Sequence, residues 1–243
     1  MKATAGSARV FEKECWPKGK SIRSQIGYLP GDVHMYSHMR ASKYLDFLQR
    51  ARRIDCRAEI KRLAAHFELG LDKSIRKFSS GMRQKLGLIQ AMMHQPQLLV
   101  LDEPTSALDP LVRKSVFAEL KQVTEQGRSV LFSSHSLGEV EELCDEVVIL
   151  RQGRIVEHRQ IQDLKEKALR RVNIVFATGH PVPQQIIEGF KVVEQNHHNW
   201  SGTWTGEMRS LLNWLSDYQV EDVIIERPDL NDLFITYYQD QLA

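Results

Sequence analysis

Two adjacent carboxylates, Asp102 and Glu103, close the apolar run Leu98-Leu99-Val100-Leu101. Four apolar residues without alternation predict a strand buried on both faces of a parallel sheet. The carboxyl end of such a strand is where open α/β sheets bind ligands. One carboxylate there can hold Mg²⁺, directly or through water, while its neighbour orients or deprotonates an attacking water. A polar loop after a buried strand would give the same letters. A second apolar run, Val130-Leu131-Phe132, leads into Ser133-Ser134-His135. If the two strands run parallel, His135 and Glu103 share one crevice, where an imidazole can contact a phosphate or steady the attacking water. Ser79-Ser80-Gly81 opens a helix marked by Met82, Leu86, Ile89 and Met93. Unpaired N–H groups and the positive end of the helix dipole make that start an anion site; a plain serine N-cap is the alternative.

The surrounding periodicities predict the elements that hold these groups. Residues 1–40 read as strand and loop, with Val10-Phe11 and Ile26-Gly27-Tyr28-Leu29 as short apolar runs. Helical stripes follow at Tyr44, Leu45 and Leu48, and at Ile60, Leu63, Ala64 and Phe67, with the polar stretch Arg50–Arg57 between them. Val112, Val116, Leu120 and Val123 predict a helix after the Asp102 strand, capped by Gly127. Ser136 and Glu139 predict a capping box for a short helix ending near Cys144. Strand, helix, strand, helix of this length implies crossover units on a parallel sheet. Gln152-Gly153 predicts a hairpin turn.

Around residues 160–170 a charged helix marks a change of domain. Beyond it the alternation of Val172, Ile174 and Phe176, the stretch at Trp200–Gly206, a helix at Leu211, Leu212 and Leu215, a strand at Val223–Ile225 and a last helix at Leu230, Leu233 and Phe234 form a small α+β appendage.

The bulk properties restrict the classes. A hydrophobic content of 42% and a charged content of 26% are those of a globular protein. A net charge of +2 is too small to make nucleic acid the main partner. No apolar run approaches the roughly 20 residues of a membrane span, and the first residues lack the apolar core of a signal peptide. Cys15, Cys56 and Cys144 are scattered without a paired spacing, which implies free thiols. His197-His198 lacks a carboxylate or thiol at ligand spacing and reads as a solvated turn, and Trp200 and Trp204 read as packing residues of the appendage.

Taken in order, four stretches resemble the nucleotide-binding subunit of an ABC transporter. "FSSGMRQK" is similar to its signature motif, "LLVLDEP" to the Walker B strand with its catalytic glutamate, "SALD" to the D-loop and "SSH" to the switch-histidine loop. The match covers residue 26 to about residue 158. The resemblance implies ATP and Mg²⁺ as cofactors. It assigns Ser79, Ser80 and Gly81 to the γ-phosphate of ATP held by an opposite subunit, Asp102 to Mg²⁺, Glu103 to water activation, Asp109 to a cross-dimer contact and His135 to the γ-phosphate. "IGYLPGDVHMYSHMRASKYLDFL" resembles the helical subdomain of the ABC-2 type exporter branch.

The expected fold is therefore α/β, an incomplete P-loop NTPase sheet at 1–160 with a helical subdomain at about 32–95, plus a C-terminal accessory α+β domain at 161–243. The expected partners are a membrane-spanning permease subunit, on which the region around 31–70 docks, and a second ATP-binding subunit. The implied location is cytoplasmic, peripheral on the inner face of the cell membrane. A non-catalytic pairing subunit and a soluble ABC ATPase of translation or DNA repair are the competing readings; the latter usually brings tandem cassettes or long coiled coils, neither of which occurs here.

Three departures from the family pattern stand out. Gly-Gly-Gln of the signature is Ser80-Gly81-Met82, and the glutamine expected after "IGYLP" is Gly31. No GxxxxGK[ST] loop occurs; the Gly-Lys-Ser triplet in "WPKGKS", residues 16–21, lacks the upstream glycine and a buried strand before it. The resemblance places the start of this chain just downstream of the phosphate loop and its helix, and predicts weak ATP binding and little autonomous hydrolysis.

Overall fold

Three parallel strands, β3 (Ile26–Leu29), β4 (Leu98–Asp102) and β5 (Ser129–Ser133), pair in the order β3-β4-β5. Their register sets Leu29, Leu101 and Phe132 side by side and brings Asp102 level with Ser133. The computed structural model describes residues 4–163 and 170–226. They form two compact units, Met1–His135 and Ser136–Ala243.

In the first unit, two short strands, β1 (Arg9–Val10) and β2 (Lys13–Glu14), precede helix α1 (Cys15–Arg23). This corrects the strand-and-loop expectation for residues 1–40. Pro17 lies in the first turn of α1, where a missing N–H costs nothing. The helix is anchored by Ile22, 3% exposed, and the lone apolar anchor gave no helical periodicity to read. Residues 16–21 are thus helix, not a phosphate-binding loop.

The helical segment is as its stripes predict. Helix α2 (Ala41–Arg52) buries Tyr44 and Leu45, and α3 (Arg57–His66) buries Ile60, Leu63 and Ala64, with Phe67 buried just beyond it. Between them Arg50 and Arg57 pair with Asp46 and Asp55. Helix α4 (Ser80–Met92) buries Leu86, Leu88 and Ile89 and packs on β3. Helix α5 (Pro110–Glu125) starts at an Asp109 N-cap with Pro110 in the first turn, and Gly127, at φ +76, follows it in the left-handed region. Arg62 on α3 and the nearly fully buried Glu119 on α5 form an ion pair, at 2.9 Å from Nη1 to Oε2, which clamps these two helices.

The strand β4 is buried on one face only. Leu99 and Leu101 are sealed at 0% and 1% exposure, whereas Leu98 and Val100 are half-buried. On that second face Tyr28 and Leu131, in register with Val100, are 54% and 62% exposed. Burial on both faces, expected from the run of four apolar residues, is therefore not what the described residues provide.

The second unit begins with the short helix α6 (Leu137–Leu143), for which Ser136 is the N-cap residue. The helix is there as expected, but the Ser136 side chain makes no capping hydrogen bond to it. Strands β6 (Glu146–Arg151) and β7 (Arg154–Gln160) form the expected hairpin, with Gln152 and Gly153 at φ +49 and +75. A separate antiparallel sheet has the order β11-β8-β10-β9, from β8 (Arg170–Phe176), β9 (Phe190–Gln195), β10 (Asn199–Trp204) and β11 (Val220–Glu226). Helix α7 (Met208–Ser216) supplies Leu211 and Leu215 to its core beside Val172, Ile174, Phe176, Trp200 and Trp204. Leu212 faces solvent at 50% exposure. Of the charged helix expected around 160–170, residues 164–169 lie outside the described residues, as does the last helix at Leu230, Leu233 and Phe234.

Candidate functional site

Parallel pairing of β4 and β5 delivers Asp102, Glu103, Ser133 and His135 to one end of the sheet. His135 Nδ1 lies 2.7 Å from Glu103 Oε2. A carboxylate accepts only, so Nδ1 carries the proton of this bond, and Nε2 can donate to a phosphate oxygen only in the imidazolium form. Both side chains reach solvent, at 77% exposure for His135 and 31% for Glu103, so the pair is open to a ligand.

Glu103 is held from several sides. Its φ of +49 is left-handed, a conformation that costs a residue with a Cβ about 1–2 kcal/mol. Its N–H donates to Ser133 Oγ at 3.0 Å, and its carbonyl oxygen accepts from Gln84 Nε2 at 3.0 Å and from Ser106 Oγ at 3.1 Å. Gln84 comes from α4 and is only 4% exposed, so this bond is shielded and joins the Ser79-Ser80-Gly81 helix to the strained residue.

Asp102 is fixed at both oxygens. Ser133 Oγ donates to Oδ1 at 2.6 Å, and the Gly31 N–H donates to Oδ2 at 3.2 Å. The cation that the resemblance implies would meet a hard-oxygen set of one exposed carboxylate and one hydroxyl. Among the described residues no cluster of three or more His, Cys, Asp or Glu could hold a metal unaided. Such a site fits Mg²⁺, which binds through one or two carboxylates and completes its shell with phosphate and water.

At the start of α4 Ser79 caps the helix, its Oγ accepting the Met82 N–H at 3.2 Å. Ser79 and Ser80 are exposed, and none of the described residues accepts a hydrogen bond from the Ser80 or Gly81 N–H. The N-cap and an open helix end thus coexist. A side chain at Gly81 would place Cβ 2.8 Å from the Ala107 carbonyl oxygen, so glycine allows the helix end to seat under the Ser106–Asp109 turn. Asp109 caps α5: its Oδ1 accepts the Val112 and Leu111 N–H groups at 3.0 and 3.1 Å, and these bonds hold its carboxyl below the ordinary range.

Asp102, Glu103 and His135 are brought together; Ser79, Ser80 and Gly81 stand at the end of α4 as a separate surface. Sequence reasoning missed Ser133, Gln84 and the Gly31 main chain. Ser133 was visible as a hydroxyl beside His135, but its role depends on a strand register that no local pattern encodes.

The profile of the ABC transporter family matches residues 1–106. The uncharacterized ABC transporter ATP-binding protein YxlF of Bacillus subtilis is 39% identical over 172 residues, which is 69% of this chain and 56% of that protein. A second, sll0415 of Synechocystis, is 27% identical over an alignment of 253 residues covering 99% of this chain and 69% of its own length. Among solved structures, an ATP-binding subunit of an ABC transporter aligns with a TM-score of 0.63 at 26% identity, covering 69% of this chain and 72% of the other. A dimeric ATP-binding cassette solved with ADP and Pi shares the fold at TM-score 0.56 and 17% identity, covering 65% and 74%. The fold is that of the α/β P-loop NTPases. Residues 1–106 match the ABC transporter family, and the chain is similar along its length to ABC transporter ATP-binding proteins.

Proposed function

We propose that the chain is an ATP-binding subunit that couples nucleotide-driven pairing to an exporter of the ABC-2 type. The ATPase domain would occupy residues 1–160, with the helical subdomain at about 32–95, and 161–243 would be accessory. The observation that carries this reading is the His135–Glu103 contact at 2.7 Å beside Asp102, at the carboxyl end of a parallel sheet. Asp102 would hold Mg²⁺, which neutralises phosphate charge when bound. Glu103 would orient the attacking water and accept its proton, and His135 would steady Glu103 and reach the γ-phosphate. Ser79, Ser80 and Gly81 would contact the γ-phosphate of ATP on an opposite subunit, and Asp109 would lie at that contact. The permease would take the region around 31–70, on the inner face of the cell membrane. Among the described residues no helix is long and apolar enough to cross a membrane.

A second reading, a pairing subunit, is favoured by the exposed start of α4, where Ser79 caps the helix through the Met82 N–H. Positioning supplies most of phosphoryl-transfer catalysis. On this reading the chain lends its α4 end to the phosphate loop of an intact partner and hydrolyses little ATP by itself.

The test mixes the chain with a complete homologous subunit carrying Gln for its catalytic Glu. ATP-dependent heterodimers, lost in Ser80→Trp, are expected; no heterodimer with ATP sinks both readings. Partner-supported hydrolysis that falls in Glu103→Gln selects the catalytic reading, and hydrolysis that is unchanged selects the pairing one. Micromolar binding of a fluorescent ATP analogue by the chain alone would overturn the expectation of weak affinity.

A further inference from the structure

The turn that leads β9 into β10 bounds a cleft of about 430 Å³ within the second unit. Small-molecule sites span roughly 300–1,000 Å³. Val182, Gln195, His198 and Trp200 line this cleft, with the exposed His180 and His197 beside them. Gln195 pairs directly opposite Trp200, and Val182 packs on the apolar core of the unit. Trp200 is 2% exposed, yet its indole Nε1–H meets no acceptor among the described residues. Nδ1 of His198, also closed to water, has no partner among them either. Trp204 on the same strand behaves as a buried indole usually does, giving its Nε1–H to the Gly206 carbonyl oxygen at 3.0 Å. Two unpaired buried nitrogens on the lining of one cleft carry a cost that an accepting oxygen would remove.

These groups set the chemistry of the ligand. An indole N–H only donates, and an imidazole Nδ1 set against an acceptor donates as well, so the fitting group presents accepting oxygens. Among the described residues that line the cleft there is no carboxylate to repel an anion, and no lysine or arginine to pair with a phosphate. A single carboxylate charge suits such neutral donors better than the near-double charge of a phosphate. We propose that this cleft of the accessory unit binds a small monocarboxylate with an apolar body, whose oxygens accept from Trp200 Nε1 and His198 Nδ1. Both nitrogens are closed to water, so entry requires a small shift of the exposed turn at residues 196–197. Once made, the two hydrogen bonds are charge-assisted and shielded, and the apolar body lies against Val182.

Titration of the isotope-labelled full chain with sodium benzoate tests it, with the resonances of its four indole N–H groups followed by NMR. The Trp200 resonance, assigned by its loss in Trp200→Phe, is expected to move saturably at millimolar benzoate while that of Trp16 stays in place. Benzamide, which keeps one accepting oxygen and no charge, and inorganic phosphate should each need at least about tenfold more. His198→Phe keeps a ring without the nitrogen and should weaken benzoate about tenfold. A Trp200 resonance that does not move, or moves no more than that of Trp16, overturns the site, and the native chain alone decides this if the variant does not fold. Benzamide or phosphate as effective as benzoate overturns the carboxylate assignment, and unchanged benzoate binding in His198→Phe overturns the role of His198. Because neither ATP nor a second subunit is used, the result is independent of whether heterodimers form.

Discussion

The Ser133 hydroxyl donates to Asp102 Oδ1 at 2.6 Å while accepting the Glu103 N–H at 3.0 Å, so one side chain at the end of β5 orders both carboxylates at the end of β4. Ser133→Ala removes both bonds, so the Glu103 N–H and the Asp102 carboxylate each lose one tie while Glu103 keeps its left-handed conformation. A hydrogen bond to a charged group contributes about 1.5–3 kcal/mol, less where water can replace it. The expected loss in urea unfolding is about 1–2 kcal/mol, with Ser133→Thr restoring most of it. An alanine variant as stable as the native chain would show that water replaces the hydroxyl fully.

Arg62 and Glu119 connect two helices through a buried acceptor. Glu119 is 3% exposed and Arg62 40% exposed, and the hydrogen bonds to Glu119 and then Glu59 hold the guanidinium well above its ordinary range. Removing the cation strands a carboxylate inside the protein, which costs about 3–5 kcal/mol when both partners are buried. With Arg62 partly in water, roughly 2 kcal/mol is expected for Arg62→Ala. Arg62→Met with Glu119→Leu should recover most of that loss in the same denaturation assay, since an apolar pair leaves no charge to satisfy.

These two contacts also mark the limit of what the sequence makes legible. Leu98–Leu101 followed by Asp102 and Glu103, and Phe132 followed by His135, are local patterns, and the structure brings their ends together. Ser133, Gln84 and Arg62 act over separations of 31, 19 and 57 residues, which only strand register and helix packing determine. Helix α1 escaped notice for another reason: Ile22 is its buried anchor, too little for a period to show. At Leu98 and Val100 composition misled, since apolar letters report the solvent an environment excludes only when a covering layer is present.

Putting glutamine at position 31 should not restore the contact that the family pattern expects. Its Cβ would sit 2.9 Å from Asp102 Oδ2, and the loop or the carboxylate must move. Overpacking of this kind costs about 1–3 kcal/mol, here toward the low end because both groups border solvent. Gly31→Gln is expected to lower stability by about 1 kcal/mol and to accelerate amide exchange at Val33. A variant more stable than the native chain would mean that the loop re-forms around the new side chain.

His94 gives the first unit a pH dependence whose sign follows from burial. Its Nε2 donates to the Ile26 carbonyl oxygen at 3.2 Å, Nδ1 is buried without a partner among the described residues, and burial, assisted by the Arg52 charge, depresses its pKa from 6.5 to about 4. Between those two values the unfolded chain binds a proton that the folded chain refuses, so stability falls as pH drops from about 6.5 toward 4 and is restored above that window. The full shift is screened because His94 is only partly buried, and a loss of roughly 1–2 kcal/mol is expected over this range. His94→Gln keeps an N–H for Ile26 and cannot titrate. Urea unfolding at pH 7.5 and at pH 4.5 should therefore show a smaller acid penalty in the variant than in the native chain. Equal penalties would mean that His94 does not contribute to the acid limb in this window, where Asp55, lowered to about 2 by its bonds from Arg57, still contributes fully.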